Sequence, residues 1–132
     1  MGNSMKDIGV NKIIPSKKEK DVLLIATDGD GVYKLDLKQL TLNHFLKEDT
    51  RKPNKMNGSI IKDIYMDSAN RIWNVIYPTG ITIYTEKYPA YEWFMHSANY
   101  TNSLANNCIN GVWKIRKVIP GMQRATVYVI LM

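Results

Sequence analysis

A stretch that occurs twice at a fixed offset leaves this chain few folds to choose from. Residues 23–35 read LLIATDGDGVYKL: an apolar run, a Gly/Asp turn, then a second strand-like run. Residues 72–84, IWNVIYPTGITIY, repeat the pattern with no insertion or deletion. Leu24 falls on Trp73, Gly31 on Gly80, Val32 on Ile81 and Leu35 on Tyr84, each 49 residues on. A fixed period of this size marks a repeat architecture, in which each unit buries its faces against its neighbours.

Each unit reads as four short strands joined by turns. In the first, residues 10–14 are a short strand ended by Pro15, which cannot donate to a sheet ladder. SKKEKD (16–21) is a charged turn, and 22–26 is an aliphatic strand buried on both faces. The turn 27–31, Thr-Asp-Gly-Asp-Gly, has glycines that reach positive φ cheaply and aspartates that can bond nearby backbone. Strands follow at 32–35 and 40–46. The second unit places strands at 59–66, 71–76, 81–85 and 91–95, and Phe94 lies 49 residues after Phe45. A third unit opens at Cys108: Ile109 matches Ile61 and Val112 matches Ile64. After Ile115 the pattern stops.

Four-stranded antiparallel meanders in series are the blades of a β-propeller. The predicted fold is therefore all-β: about two complete blades and the start of a third, an incomplete propeller. Residues 1–9 are a loop or partial strand. The first blade spans 10–46, a linker 47–57, the second blade 58–96, a linker 97–107, the next blade's start 108–115 and an off-pattern tail 116–132. Within the second linker, residues 101–104 predict one helical turn with Leu104 tucked inward.

Composition excludes several classes of function. The net charge is +6, but the lysines and arginines scatter through loops, form no helical stripe and accompany no nucleic-acid motif. Cys108 is the one cysteine, so there is no internal disulfide and no multi-cysteine zinc site. No apolar run approaches the length of a membrane span. Residues 1–14 lack the basic, apolar and small-residue order of a secretory signal, and Lys6 breaks the myristoylation pattern begun by MGNSM.

Chemistry is sparse. A calcium loop starting at Asp28 would need Glu where Gln39 stands and Gly where Tyr33 stands. His44 and His96 sit at no ligand spacing, and no nucleophile elbow or phosphate loop is present. No catalytic residue, metal ligand or cofactor is expected. Tyr77, Tyr91 and Trp93 fall at a turn or on an outer strand, where a flat ring can stack on a sugar face; the competing reading packs them between blades. Trp73 and Trp113 read as core.

Residues 102–113 (NSLANNCINGVW), 57–73 (NGSIIKDIYMDSANRIW) and 23–36 (LLIATDGDGVYKLD) resemble the two-component regulator propeller repeat. Its pattern runs Asn-Ser-Leu-x-x-Asn-x-Ile/Val-x-x-Ile, then Asp-x-x-Gly-x-Ile/Leu-Trp, then Ile-Gly-Thr-x-x-Gly-Gly-Leu. The resemblance covers roughly residues 10–115. Leu24 replaces a Trp, Ala26 a Gly, Asn70 a turn Gly, and Asn74-Val75-Ile76 the Ile-Gly-Thr.

The resemblance implies the periplasmic sensor half of hybrid two-component systems of Bacteroides-type bacteria. Such proteins carry propellers of about seven blades, an immunoglobulin-like domain, a membrane helix, a histidine kinase, a receiver and an AraC-type DNA-binding domain, and sense oligosaccharides. It therefore implies a non-enzymatic fragment of a ligand-sensing propeller that controls glycan-utilisation genes. The implied partners are an oligosaccharide and the remaining blades or a second copy of the chain, with no nucleic acid and no membrane segment here. Placement would be periplasmic by resemblance, and cytoplasmic if the chain is expressed as it stands. Two other readings stay open: a truncated or frameshifted product without independent function, and part of a propeller carbohydrate-active enzyme.

Overall fold

Among the described residues, alternating apolar residues between turn residues form ten strands, all antiparallel to their neighbours: β1 (Val10–Pro15), β2 (Val22–Thr27), β3 (Val32–Asp36), β4 (Thr41–Leu46), β5 (Ile60–Met66), β6 (Ile72–Tyr77), β7 (Gly80–Thr85), β8 (Ala90–Phe94), β9 (Ile109–Ile119) and β10 (Met122–Leu131). The computed structural model describes residues 7–49, 56–86, 90–95, 97–99, 104, 107–119 and 122–131. Among these there is no helix. The sheets run β1-β2-β3-β4, β5-β6-β7-β8 and β9-β10. The first two are the expected blade meanders. The tail after Ile115 continues β9 and returns as β10. Of the expected turn at 101–104 only Leu104 is described, half-buried against the second core.

The repeat is visible in the pairing register. Leu24, Ile25 and Ala26 pair with Lys34, Tyr33 and Val32. Their equivalents 49 residues on, Trp73, Asn74 and Val75, pair with Ile83, Thr82 and Ile81. The register departs at the end of the unit. Phe45 is an extra residue in β4, where the ladder jumps from Tyr33↔His44 to Val32↔Leu46, whereas Phe94 pairs directly with Ile81. A bulge in β4 thus ends the equivalence that Phe45 and Phe94 suggest by spacing. Leu40 is not in β4. It stands 79% exposed at φ 52°, closing a turn in which the Asp36 carboxylate accepts the Lys38 and Gln39 amides.

A bulge also recurs on the first strand of every unit. The extra residue is Asn11 in β1, Lys62 in β5 and Asn110 in β9. Asn11 turns its amide Nδ2 onto the carbonyl of Ile61, 2.9 Å away, and so ties the first blade to the second.

Two cores follow from the stacking. Leu24, Ala26 and Val32 of the first blade meet Ile61, Ile64, Met66, Ile72 and Ile76 of the second. The opposite face of the second blade presents Val75, Ile81 and Ile83 to Ile109 and Val112 of β9. Each fully buried Ile, Leu or Val contributes roughly 1.5–3 kcal/mol, so the second blade, covered on both faces, is the centre of the molecule.

Turns lock this arrangement. Asp67, 5% exposed, accepts the Ala69 and Arg71 amides on Oδ1, both at 2.9 Å. Its Oδ2 accepts Arg71 Nε at 2.7 Å and the Trp73 indole Nε1 at 3.0 Å. Asn70 sits at φ 60°, which Asn tolerates nearly as well as the Gly it replaces. Asp21 takes the same place in the first blade at φ 61°. There Ser16 stands for Asp67, accepting the Lys18 and Glu19 amides, and Leu24 stands for Trp73. A serine has no carboxylate oxygen to accept an indole, and the first blade carries Leu24 where the second carries Trp73. Gly31 is a different constraint: at φ 74°, its Cβ would lie 2.2 Å from the Leu46 carbonyl oxygen.

Two outcomes follow. Gly31→Ala loses roughly 1–3 kcal/mol from the strained φ plus the cost of moving the Leu46 backbone. Gly29→Ala is strained by its own φ of 127° but its Cβ meets nothing within 4 Å, so the clash with Leu46 should place Gly31→Ala below it in urea melts. Equal midpoints would sink this. For Asp67, burial pushes the carboxyl up, but the Trp73 indole and the Arg71 amide and guanidinium outweigh it and hold it below 3.8. The unfolded chain therefore takes up the proton first. The stabilisation is complete above about pH 5 and is lost as pH falls through the carboxylate range. Asp67→Asn should cost about 2 kcal/mol at pH 7, with the gap to wild type closing toward pH 3; a pH-independent gap would contradict it.

Candidate functional site

Polar side chains gather at both ends of the blades. At one end, the β2–β3 turn is shaped by Thr27, whose Oγ1 donates to the Gly31 carbonyl at 2.7 Å and accepts the Asp30 amide at 3.1 Å. This aims Asp30 along β3. The Tyr33 hydroxyl donates to Asp30 Oδ2, and His44 Nε2 lies 3.0 Å from the same oxygen. Tyr33 and His44 are cross-strand partners, with ring centroids 4.0 Å apart and planes tilted by 31°.

The electrostatics of this cluster fix what it can do. Burial pushes the Tyr33 phenol up to about 12, and the Asp30 carboxylate adds to the shift. Burial likewise raises Asp30, but its bonds to Tyr33 and His44 and the field of His44 and Lys47 leave it below its ordinary value. Across neutral pH the phenol stays a donor and the carboxylate an acceptor. A phenol 1% exposed and bonded to its carboxylate is no general base. The cluster orders the turn.

The same end ties the blades together. Gly31 donates to the Ser59 carbonyl at 2.9 Å, and Asp28 bridges to Ile60. Ser59 Oγ donates to Glu48 at 2.8 Å, and Thr82 Oγ1 to Asn57 at 2.9 Å.

Of the aromatic candidates, Tyr77 ends β6, pairs with Ile60 and is 41% exposed. Lys62 Nζ sits 5.7 Å from its ring centroid. Tyr91 and Trp93 lie on β8, two strands away, paired with Tyr84 and Thr82; their side chains are outside the described residues. Those rows continue to Ile72 and Asn74, which alternate with the face of β6 that carries Tyr77. The pairing therefore places Tyr77 in neither row.

At the other end a cleft of about 290 Å³ opens between the blades, lined by Lys18, Ala69, Asn70, Thr85 and Glu86. Lys18 Nζ meets Glu86 at 2.9 Å; Lys34 meets Glu19 at 3.0 Å and Glu86 at 3.6 Å. The bond from Lys18 holds the Glu86 carboxyl below its ordinary range against the cost of burial, with Lys34 assisting. This network and the Asp30–Tyr33–His44 cluster were both illegible in sequence. Only the tight turn 36–40 brings His44 opposite Tyr33.

No family model matches the chain, and no curated protein matches it. Solved structures do. The chain is similar to the extracellular domain of BT4673 from B. thetaiotaomicron, described as a proposed hybrid two component system, with TM-score 0.62 and 16% identity over 86% of this chain and 14% of that one. A structure of the same domain, described as a proposed one component system, gives TM-score 0.60 and 16% identity over 83% and 13%. This chain therefore spans about a seventh of those chains. At this identity the likeness shows the fold. It agrees with the class of protein that the repeat resembles.

One outcome tests the cluster. An absorbance titration should show a tyrosine ionising near 12 that moves toward 10 in Asp30→Asn but stays above it, because burial is the larger cause. With the folded phenol raised, its stabilising effect is complete below pH 10 and lost as pH rises through about 12. An unchanged titration in Asp30→Asn would refute the contact.

Proposed function

We propose that the chain is part of an extracytoplasmic, ligand-sensing β-propeller of a hybrid two-component regulator, and that its role is binding rather than catalysis. The observation that supports this most is the coincidence of two independent likenesses: the 49-residue repeat with its propeller motifs, and a fold shared with a hybrid-system extracellular domain. Ligand would shift a conformational equilibrium of the whole propeller, by its difference in affinity for the two states. Placement outside the inner membrane follows from the same reading.

An oligosaccharide is the ligand class that the reading favours. Half-exposed Tyr77 beside Lys62 offers a ring face with a donor alongside. Tyr91 and Trp93 remain candidates on β8. The charged residues described at both ends are engaged with one another rather than set as a carboxylate pair across an open cleft, which supports binding over glycoside hydrolysis.

The test is calorimetric titration of the purified chain with a panel of oligosaccharides, followed by chromatography of the mixtures. Saturable binding of intact sugar, weakened about tenfold by Tyr77→Ala, is expected for a lost ring–sugar contact of about 1.4 kcal/mol. Shortened products would overturn the non-enzymatic reading, and no binding to any member of the panel would remove the sugar.

A further inference from the structure

The β1–β2 turn reaches across to the second blade, where the Lys17 amide donates to the Met66 sulfur at 3.3 Å. Beside that bond a groove of about 190 Å³ opens between β1 and β5. Ile14, Pro15, Tyr65 and Met66 wall it, and exposed Lys17 stands at its rim. The walls take equivalent places in the two blades. Ile14 pairs with Leu24 as Tyr65 pairs with Trp73, and Pro15 pairs with Leu23 as Met66 pairs with Ile72. The groove is a seam between two neighbouring first strands. Its aromatic wall comes from the second blade alone, since the first has Ile14 in that place.

The charges at this seam are unevenly matched. Lys12, Lys18, Lys34 and Lys38 each meet a carboxylate. Among the described residues Lys17 meets none, and its Nζ stands 5.3 Å from the centroid of the Tyr65 ring. Burial, and then the charge of Asp67, raises the Tyr65 phenol, so it is a neutral donor at neutral pH. The groove therefore offers an aromatic face, aliphatic walls and a cation without a counter-charge, in a space fit for a single sugar ring.

We propose that this groove holds an acidic sugar unit, a hexuronic acid, with its C–H face on the Tyr65 ring and its carboxylate on Lys17 Nζ. The carboxylate makes a charge-assisted bond that draws the ammonium off the ring, and the C–H face takes its place. The chain's net charge of +6 favours the approach of such an anion. This site rests on the sugar-sensing reading and narrows its ligand class. It is separate from Tyr77, which pairs with Ile60 at the other end of β5.

The test is calorimetric titration of the purified chain with short oligomers of galacturonic and glucuronic acid, their methyl esters, and neutral oligomers of galactose and glucose. The acids should bind about tenfold tighter than their esters. Lys17→Gln should remove that preference, whereas Lys38→Gln, an equal loss of charge beyond β3, should keep it. Tyr65→Leu should weaken acid and ester alike, and Tyr65→Phe, which keeps the ring, should bind as wild type does. Equal affinity for acid and ester, a preference that survives Lys17→Gln, or unchanged binding in Tyr65→Leu would overturn the proposal. If neutral sugars bound in that case, the sensor reading would stand without it; no binding of any sugar would overturn both.

Discussion

Everything in this molecule depends on burying sheet faces. A four-stranded meander has two of them, and when both are apolar neither can be left to water without loss. The second blade carries Ile61, Ile64, Met66, Ile72 and Ile76 on one face and Val75, Ile81 and Ile83 on the other. The first blade covers one face and β9 covers the other. Among the described residues, hydrogen bonds across these boundaries sit at strand starts and turns, as with Asn11 to Ile61, Gly31 to Ser59, Lys17 to the Met66 sulfur, and Val112 to Asp63. They set the stacking register, and apolar burial supplies the larger stabilisation.

The ends of the blades divide the remaining chemistry. At one end, Thr27, Asp30, Tyr33 and His44 hold a turn in shape, and Ser59, just ahead of β5, donates its hydroxyl to Glu48. At the other, Lys18, Lys34, Glu19 and Glu86 link the outer corners of both blades around a small cleft. Both sets cross between strands or blades. The second set joins the two blades through Lys18 and Lys34 to Glu86, so a change in the angle between blades would have to remake it.

Much of the fold was legible because β-structure has a short period. Alternation and turn residues located the eight strands of the two blades to within a residue at each end, and positions 49 residues apart take equivalent places in the β2–β3 and β6–β7 ladders, whereas the extension of β9 past Ile115 and the whole of β10 were not foreseen. Spacing failed where an extra residue entered a ladder. Phe45 and Phe94 share a spacing but not a pairing, and the bulges at Asn11, Lys62 and Asn110 left no mark in composition. The Asp67–Trp73 pair was visible only as two motif letters; the structure joins them through the indole Nε1 and the carboxylate Oδ2.

By itself the sequence determined the class of fold, the repeat and the strand boundaries of the two blades, because these follow from local alternation, turn chemistry and self-similarity along the chain. Tertiary structure decided which polar groups meet. Asp30, Tyr33 and His44 converge only after a tight turn brings two strands into register, and Glu86 reaches Lys18 and Lys34 only when the second blade stacks on the first. The first contact depends on strand pairing within a sheet and the second on the rotation of one sheet against the next, and no single stretch of residues encodes either.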